Sequence, residues 1–116
     1  MYRYKAKIVK VVDGDTVDAV VDLGFTVSVK VRLRLYGIDT PELKGISTDQ
    51  KTLARSARDY LEGAVLNEQV EIETVKTLDK YGRWLATIFL FGEINVNKMM
   101  VEEGLAVEYY GAKKLT

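Results

Sequence analysis

Guanidinium and carboxylate groups crowd one short stretch, Arg32 to Glu42, which reads Arg-Leu-Arg-Leu-Tyr-Gly-Ile-Asp-Thr-Pro-Glu. Strand alternation places Arg32 and Arg34 on one face and Leu33 and Leu35 on the other. Gly37 then lets the backbone bend. Pro41, the single proline of the chain, fixes its own φ and pushes Thr40 toward extended geometry. Asp39 and Glu42 are thereby held in one stiff turn near a guanidinium. That arrangement is costly for a turn that only reverses the chain, and it suits a hard cation and a phosphate.

Two more polar clusters fall at predicted turns, Asp13-Gly14-Asp15-Thr16 and Asp79-Lys80-Tyr81-Gly82-Arg83. Singly each has a plain structural reading. Asp-Gly between two strand patterns marks a tight turn whose glycine accepts positive φ, Asp-Thr-Pro-Glu can be an Asx turn or a helix cap, and the third is an ordinary loop. Composition narrows the chemistry. With no histidine and no cysteine among 116 residues, there is no Ser-His-Asp triad, thiolate zinc site, cysteine nucleophile or imidazole base. Acid–base work falls to Asp, Glu, Lys, Tyr or bound water. The 17 basic residues balance 17 acidic ones, so a polyanion would be met by a local basic site, aided by a cation that offsets the carboxylates.

The elements that must position these clusters are legible as patterns. Residues 2–12 alternate through Tyr4, Ala6 and Ile8, then lose strict alternation at Val9, Val11 and Val12, which a bulge or burial on both faces would explain. Thr16 to Asp22 is a second strand with Val17, Ala19 and Val21 on one face. Asp22-Leu23-Gly24 makes the next turn, and Phe25 to Tyr36 is a long third strand with Phe25, Val27, Val29, Val31, Leu33 and Leu35 on its apolar face. After a polar loop, Leu53, Ala54, Ala57, Tyr60, Leu61, Ala64 and Val65 fall at helical spacing, with Thr48 or Asp49 as cap. Lys51, Arg55, Arg58 and Glu62 form its solvated side, and Asp18, Asp22, Asp49 and Asp59 read as solvated too. Gln69 to Val75 is a fourth strand and Trp84 to Phe91, apolar on both faces, a buried fifth. Asn95 or Asn97 caps a short helix closed by Gly104, Val107 to Tyr110 adds a short strand or an extended arm, and the tail frays. The fold class is α+β, mainly β: a five-stranded OB-type Greek-key barrel with a helix after the third strand and a short helix after the fifth. At this length one domain, residues 1–116, is expected.

Taken together, in this order and spacing, the three clusters resemble those of the staphylococcal nuclease (thermonuclease-like) family: an Asp-Gly-Asp-Thr turn after the first strand, an Arg five residues before Asp-Thr-Pro-Glu, and Asp-Lys-Tyr-Gly-Arg ahead of an apolar strand. The resemblance covers about residues 4–110. It implies that Asp15 and Asp39 are calcium ligands with the Thr40 carbonyl, and that Asp13 is an outer-shell group. It further implies that Glu42 holds or deprotonates the attacking water, that Arg34 and Arg83 grip the scissile phosphate, and that Lys80 and Tyr81 contact a neighbouring phosphate. Tyr110, or else Tyr109, matches a tyrosine beside a nucleotide base.

The implied activity is calcium-dependent hydrolysis of phosphodiester bonds in DNA and RNA, leaving 3′-phosphate ends. The alternative is a non-catalytic nucleic-acid-binding OB module. The expected partners are single-stranded or locally open DNA and RNA, with no membrane and a monomeric chain. No apolar stretch follows the basic N-terminal residues, so a cytoplasmic chain is the expectation. Two departures from the family pattern are a shorter loop after Glu42 and the lack of residues for a further C-terminal helix.

Overall fold

The computed structural model describes residues 2–41, 48–78, 82–110 and 114–115. Glu42, Lys80 and Tyr81, all expected at the site, lie outside them. The chain order is β1 (Tyr2–Asp13), β2 (Thr16–Gly24), β3 (Val27–Leu35), β4 (Ile38–Asp39), α1 (Thr48–Val65), β5 (Gln69–Leu78), β6 (Trp84–Leu90), β7 (Ile94–Asn95), α2 (Val96–Glu102), β8 (Val107–Tyr109) and β9 (Lys114–Leu115). β1, β2 and β3 form an antiparallel meander, β1 pairs with β5 and β5 with β6. A short parallel pairing of β3 with β6, Leu33↔Trp84 to Leu35↔Ala86, closes the ring. The result is a closed five-stranded barrel with two helices, an OB-type fold. A separate small sheet, β4-β8-β9, lies beside it.

The core is built from the inward rows that alternation marks. Ile8, Val17, Ala19, Leu33, Leu35, Ile72, Ala86 and Ile88 come from the strands, with Leu61 and Val65 from α1 and Val96 and Met100 from α2. The lapse of alternation in β1 is a bulge: its register against β2 shifts between Ile8 and Lys10, and again between Val11 and Asp13. No helix among the described residues is long and apolar enough to cross a membrane.

Several expectations need correction. The third strand does not start at Phe25. Phe25 and Thr26 both have positive φ, at 55° and 61°, and form the two-residue turn between β2 and β3. Phe25 is 98% exposed, and Val27 and Val29 are exposed as well. The reason is length: the ladder of β1 with β2 begins at Ala6↔Val21, so the β2–β3 hairpin runs on beyond that ladder as an arm whose apolar face is exposed. Trp84 and Phe91 are likewise exposed while Ala86 and Ile88 carry the buried side of β6. Leu53 faces solvent, and α1 buries Ala54, Ala57, Leu61 and Val65 instead. Thr48 and Asp49 are the first two helical residues, not an N-cap ahead of the helix. The tail is not simply frayed, because Lys114 and Leu115 pair with Tyr109 and Glu108.

Asp18 is not solvated either. It is buried on β2 opposite Arg32, whose Nε and Nη2 donate to its two carboxylate oxygens at 2.8 and 3.2 Å. Those hydrogen bonds hold the Asp18 carboxyl below its ordinary value of 3.8, against partial burial and with help from the charges of Arg32, Lys30 and Lys10. A carboxyl whose pKa is lower in the folded chain adds stability that is fully present above the unfolded value. That contribution is lost as pH falls through the folded one. Asp18→Asn should therefore cost stability at pH 7 and little near pH 2, so urea midpoints of the two proteins should converge in acid. A constant gap across that range would show that Arg32 does not act on the ionised form.

Candidate active site

The site forms where the β1–β2 turn meets the end of β3. Thr16 lies opposite Arg34 in the β2–β3 ladder, and Asp13 opposite Thr16 in the β1–β2 ladder. The main chain is tied again by Leu35 N donating to Asp15 O at 2.8 Å. Gly14, between the two aspartates, is not at positive φ as the turn signal suggested. Glycine is required there by space: a Cβ would sit 2.7 Å from Ala57 Cβ of α1 and 3.0 Å from Thr40 Oγ1. The small residues Ala54 and Ala57 in the helix stripe are what let the helix approach this closely.

Arg34 is the hub. Its Nη1 donates to the carbonyls of Leu35 and Ile38 at 3.2 and 2.9 Å. Its Nη2 donates to Asp39 Oδ1 at 3.1 Å and lies 3.5 Å from Asp15 Oδ2. The three side chains are 13%, 24% and 10% exposed, respectively, so these charges meet at a partly dry spot. Asp15 Oδ2 also accepts from Thr40 N at 3.2 Å, and Asp15 Oδ1 accepts from Thr16 Oγ1 at 3.0 Å. Thr16 Oγ1 in turn accepts from Arg83 Nη1 at 3.4 Å. One continuous network thus joins Arg83, Thr16, Asp15, Arg34 and Asp39. Arg83 reaches it because it immediately precedes Trp84, which the β3–β6 seam aligns with Leu33.

The turn itself is held from below. Ile38 and Asp39 pair with Glu108 and Val107, and Tyr109 N donates to Gly37 O at 2.9 Å. Gly37 is at φ 80°, and a Cβ on it would meet the Tyr110 ring at 2.8 Å. Tyr110 lies edge-on to Tyr36 with ring centroids 5.5 Å apart. It therefore stands at the Gly37 corner of the same turn, half-exposed. Asp13 is half-buried across the first turn, close enough to Arg32 to add to the rise in that guanidinium's pKa, behind the larger effect of Asp18.

So the structure brings Asp15, Arg34, Asp39, Thr40 and Arg83 together, with Asp13 and Tyr110 at the margins. Among the described residues no group of three or more acidic side chains gathers around one point. The described donors are the Asp15 and Asp39 carboxylates, facing one another across Arg34 Nη2, and buried Thr40, whose Oγ1 has no hydrogen-bond partner. This all-oxygen set fits a hard cation such as calcium, which takes carboxylates, carbonyls and water in flexible geometry. Two contributors were not singled out from sequence. The Thr16 hydroxyl links Asp15 to Arg83, and its place directly after Asp-Gly-Asp was the available signal. Asn97 supports the turn from α2. Its Nδ2 donates to Tyr36 O and Ala86 O at 2.9 and 3.0 Å, and its Oδ1 accepts from Ile88 N at 3.1 Å. The capping role belongs to Asn95, which accepts from Lys98 N.

Residues 32–116 match the family described as staphylococcal nuclease homologue. The chain is 34% identical over 113 residues to Protein ParB of Escherichia coli, covering 90% of this chain and 57% of that protein. It is 35% identical over 101 residues to a thermonuclease of Staphylococcus hyicus (86% and 56%). It is 30% identical over 118 residues to a micrococcal nuclease of Shigella flexneri (93% and 61%). The chain spans between half and two thirds of the length of these relatives. The order of its motifs, its closed barrel and the match over residues 32–116 agree, and the chain belongs to the staphylococcal nuclease family.

Proposed function

We propose that the chain is a calcium-dependent nuclease that hydrolyses phosphodiester bonds of DNA and RNA and leaves 3′-phosphate ends. The observation that carries this reading is the network through Arg34, in which one guanidinium meets two carboxylates while a second guanidinium stands one hydroxyl away. Arg34 and Arg83 are the groups that would fork onto the phosphoryl oxygens, where negative charge grows as water adds to phosphorus and the 5′-oxygen leaves. Asp15, Asp39 and the Thr40 carbonyl are the residues that would hold calcium. When bound, the ion supplies charge neutralisation and a more acidic water. Thr16 fixes the Asp15 carboxylate by its hydroxyl. Glu42, three residues beyond Asp39 and outside the described residues, is assigned to orient the water and take its proton. The leaving 5′-oxygen takes up a proton from solvent water, and Glu42 returns its proton to solvent. An ordinary Glu is a weak base, so the rate should rise toward alkaline pH. Tyr110 beside Gly37 is assigned to pack against a base, and Lys80 and Tyr81 are assigned to a neighbouring phosphate.

Incubation of an end-labelled single-stranded oligonucleotide with Ca²⁺, Mg²⁺ or excess chelator tests this directly. Cutting with Ca²⁺, protection by chelator and 3′-phosphate products are expected, and Glu42→Gln should lower the rate by about 10²–10⁴ while still binding substrate. Equal cutting in chelator, or a wild-type rate in Glu42→Gln, overturns the mechanism. Binding without any cutting would leave the non-catalytic OB module as the reading.

A further inference from the structure

We propose that the outer face of β1, β2 and β3 is a track that carries a single-stranded polynucleotide away from Arg34 toward the tip of the hairpin arm. This rests on the nuclease reading for the identity of the ligand. Arg34, Arg32 and Lys30 follow one another on the outward row of β3, since Leu33 and Leu35 point into the core. Lys30 is opposite Val20, and Val20 is opposite Lys7 on the far side. The bulge in β1 turns Lys10 outward opposite Asp18. Lys5 and Lys7 then line an open groove with Val9, Val20, Val27 and Ser28.

The charge on this face is uneven in a neutral chain. Lys5, Lys7, Lys10, Lys30 and Arg32 stand against Asp13, Asp18 and Asp22, five cations to three carboxylates, and Asp18 is taken up by Arg32. Asp22 is half engaged in the turn, where its Oδ1 accepts from Gly24 N at 2.8 Å. Among the described residues, no carboxylate lies within ion-pair distance of Lys5, Lys7 or Lys30. The acidic neighbours Glu71 and Glu73 on β5 are paired with Arg3. Alternate residues on one strand face are spaced about 6.7 Å apart, which suits successive phosphates of an extended strand. From Arg34 to Val27 the track is about 23 Å long. The valines between the lysines offer apolar contact to sugars, and the exposed Phe25 ring at the tip offers a surface on which a base can stack. A basic face that begins at the reaction centre, and whose Lys5, Lys7 and Lys30 have no carboxylate at ion-pair distance among the described residues, matches a polyanion held there, which favours nucleic acid over an anionic bilayer.

The test compares the full chain with its Lys5→Gln/Lys7→Gln/Lys30→Gln variant. A second variant, Lys51→Gln/Arg55→Gln/Lys98→Gln, removes the same charge from the two helices. Fluorescence anisotropy is read on an oligothymidylate of about twenty nucleotides and on a trinucleotide, in chelator, from about 50 to 200 mM salt. The track variant should bind the long strand about tenfold or more weakly, with its salt slope reduced by about 2, since each single-strand phosphate contact contributes ~0.7. The loss on the long strand should exceed the loss on the trinucleotide by about tenfold. The helix variant should keep the wild-type salt slope within about 0.5. The proposal is overturned if the long strand is bound equally by all three proteins, if the helix variant loses as much, or if short and long strands suffer alike. It is overturned too if vesicles of phosphatidylcholine with about 30% phosphatidylserine, rather than the oligonucleotide, distinguish wild type from track variant. A wild-type chain that cuts neither DNA nor RNA would remove the nuclease reading, and the anisotropy would still judge the track.

Discussion

Arg34→Ala should lose about 10³-fold in kcat on an oligonucleotide, with a smaller change in KM. Removing a single preorganised donor to a developing oxyanion costs about 10²–10³ in rate, and Arg34 also holds both carboxylates of the network. Without it, among the described residues, Asp15 Oδ2 keeps the Thr40 N–H and Asp15 Oδ1 the Thr16 hydroxyl. The Leu35 and Ile38 carbonyls lose the donor that bends the turn around them. Breaking a largely buried charged network by deleting one partner costs about 3–5 kcal/mol, so the melting temperature should fall together with the rate. Arg34→Lys separates the two effects. A lysine keeps the positive charge but cannot span two carbonyls, two carboxylates and a phosphate with one ammonium. It should recover most of the stability and little of the rate. A kcat within threefold of wild type in Arg34→Lys would show that charge alone suffices and that the fork has no catalytic part.

Asn97→Ala should destabilise the fold by about 3–5 kcal/mol. Asn97 is buried, and its amide serves Ile88 N, Tyr36 O and Ala86 O. Ala86 O retains Tyr36 N, but Ile88 N and Tyr36 O lose their side-chain partner. Each buried polar group left unpaired costs about 1–3 kcal/mol, and the vacated volume adds to that. For a domain of this size a loss of that order lowers the melting temperature by about 12–20 °C. Asn97→Asp is the sharper variant: it keeps the acceptor for Ile88 N but turns the donor toward Tyr36 O and Ala86 O into a second acceptor. It should be no more stable than Asn97→Ala near neutral pH. Melting curves within about 3 °C of wild type for both variants would show that the amide is not what joins α2 to the Tyr36 turn.

What could be read from sequence divides along the range of the contacts. The five barrel strands and both helices follow from alternation, helical spacing and turn residues, all local signals. Asp15, Arg34, Asp39 and Arg83 were found by type and motif order, and the structure does gather them. Alternation told which side of β3 each residue takes, but not that the arm runs on beyond the β1–β2 ladder, so Phe25, Val27 and Val29 were assigned a core that is not there. Whether a face is covered depends on strands elsewhere in the chain. The same holds for the β3–β6 seam, for β8 under Asp39 and for the Asp18–Arg32 pair. These join residues far apart in sequence and leave no periodic trace in either segment. Sequence offers Asn95 or Asn97 as the cap, because helix N-termini favour Asn. The service of Asn97 to three carbonyl and amide groups on other elements became legible only with the barrel assembled.

The parallel seam between β3 and β6 has a consequence for how the proposed site assembles. Arg34 and Arg83 reach each other's neighbourhood only across this seam, which joins Leu33 to Trp84. Its three register pairs make it a brief contact between segments distant in the chain, a type that forms slowly relative to hairpins. A chain with its meander and helices in place but the ring still open keeps Arg34 and Arg83 apart and lacks the arrangement proposed to catalyse hydrolysis. Recovery of enzymatic turnover after dilution from denaturant would therefore clock ring closure itself, lagging behind circular dichroism whenever the seam is the last contact to form.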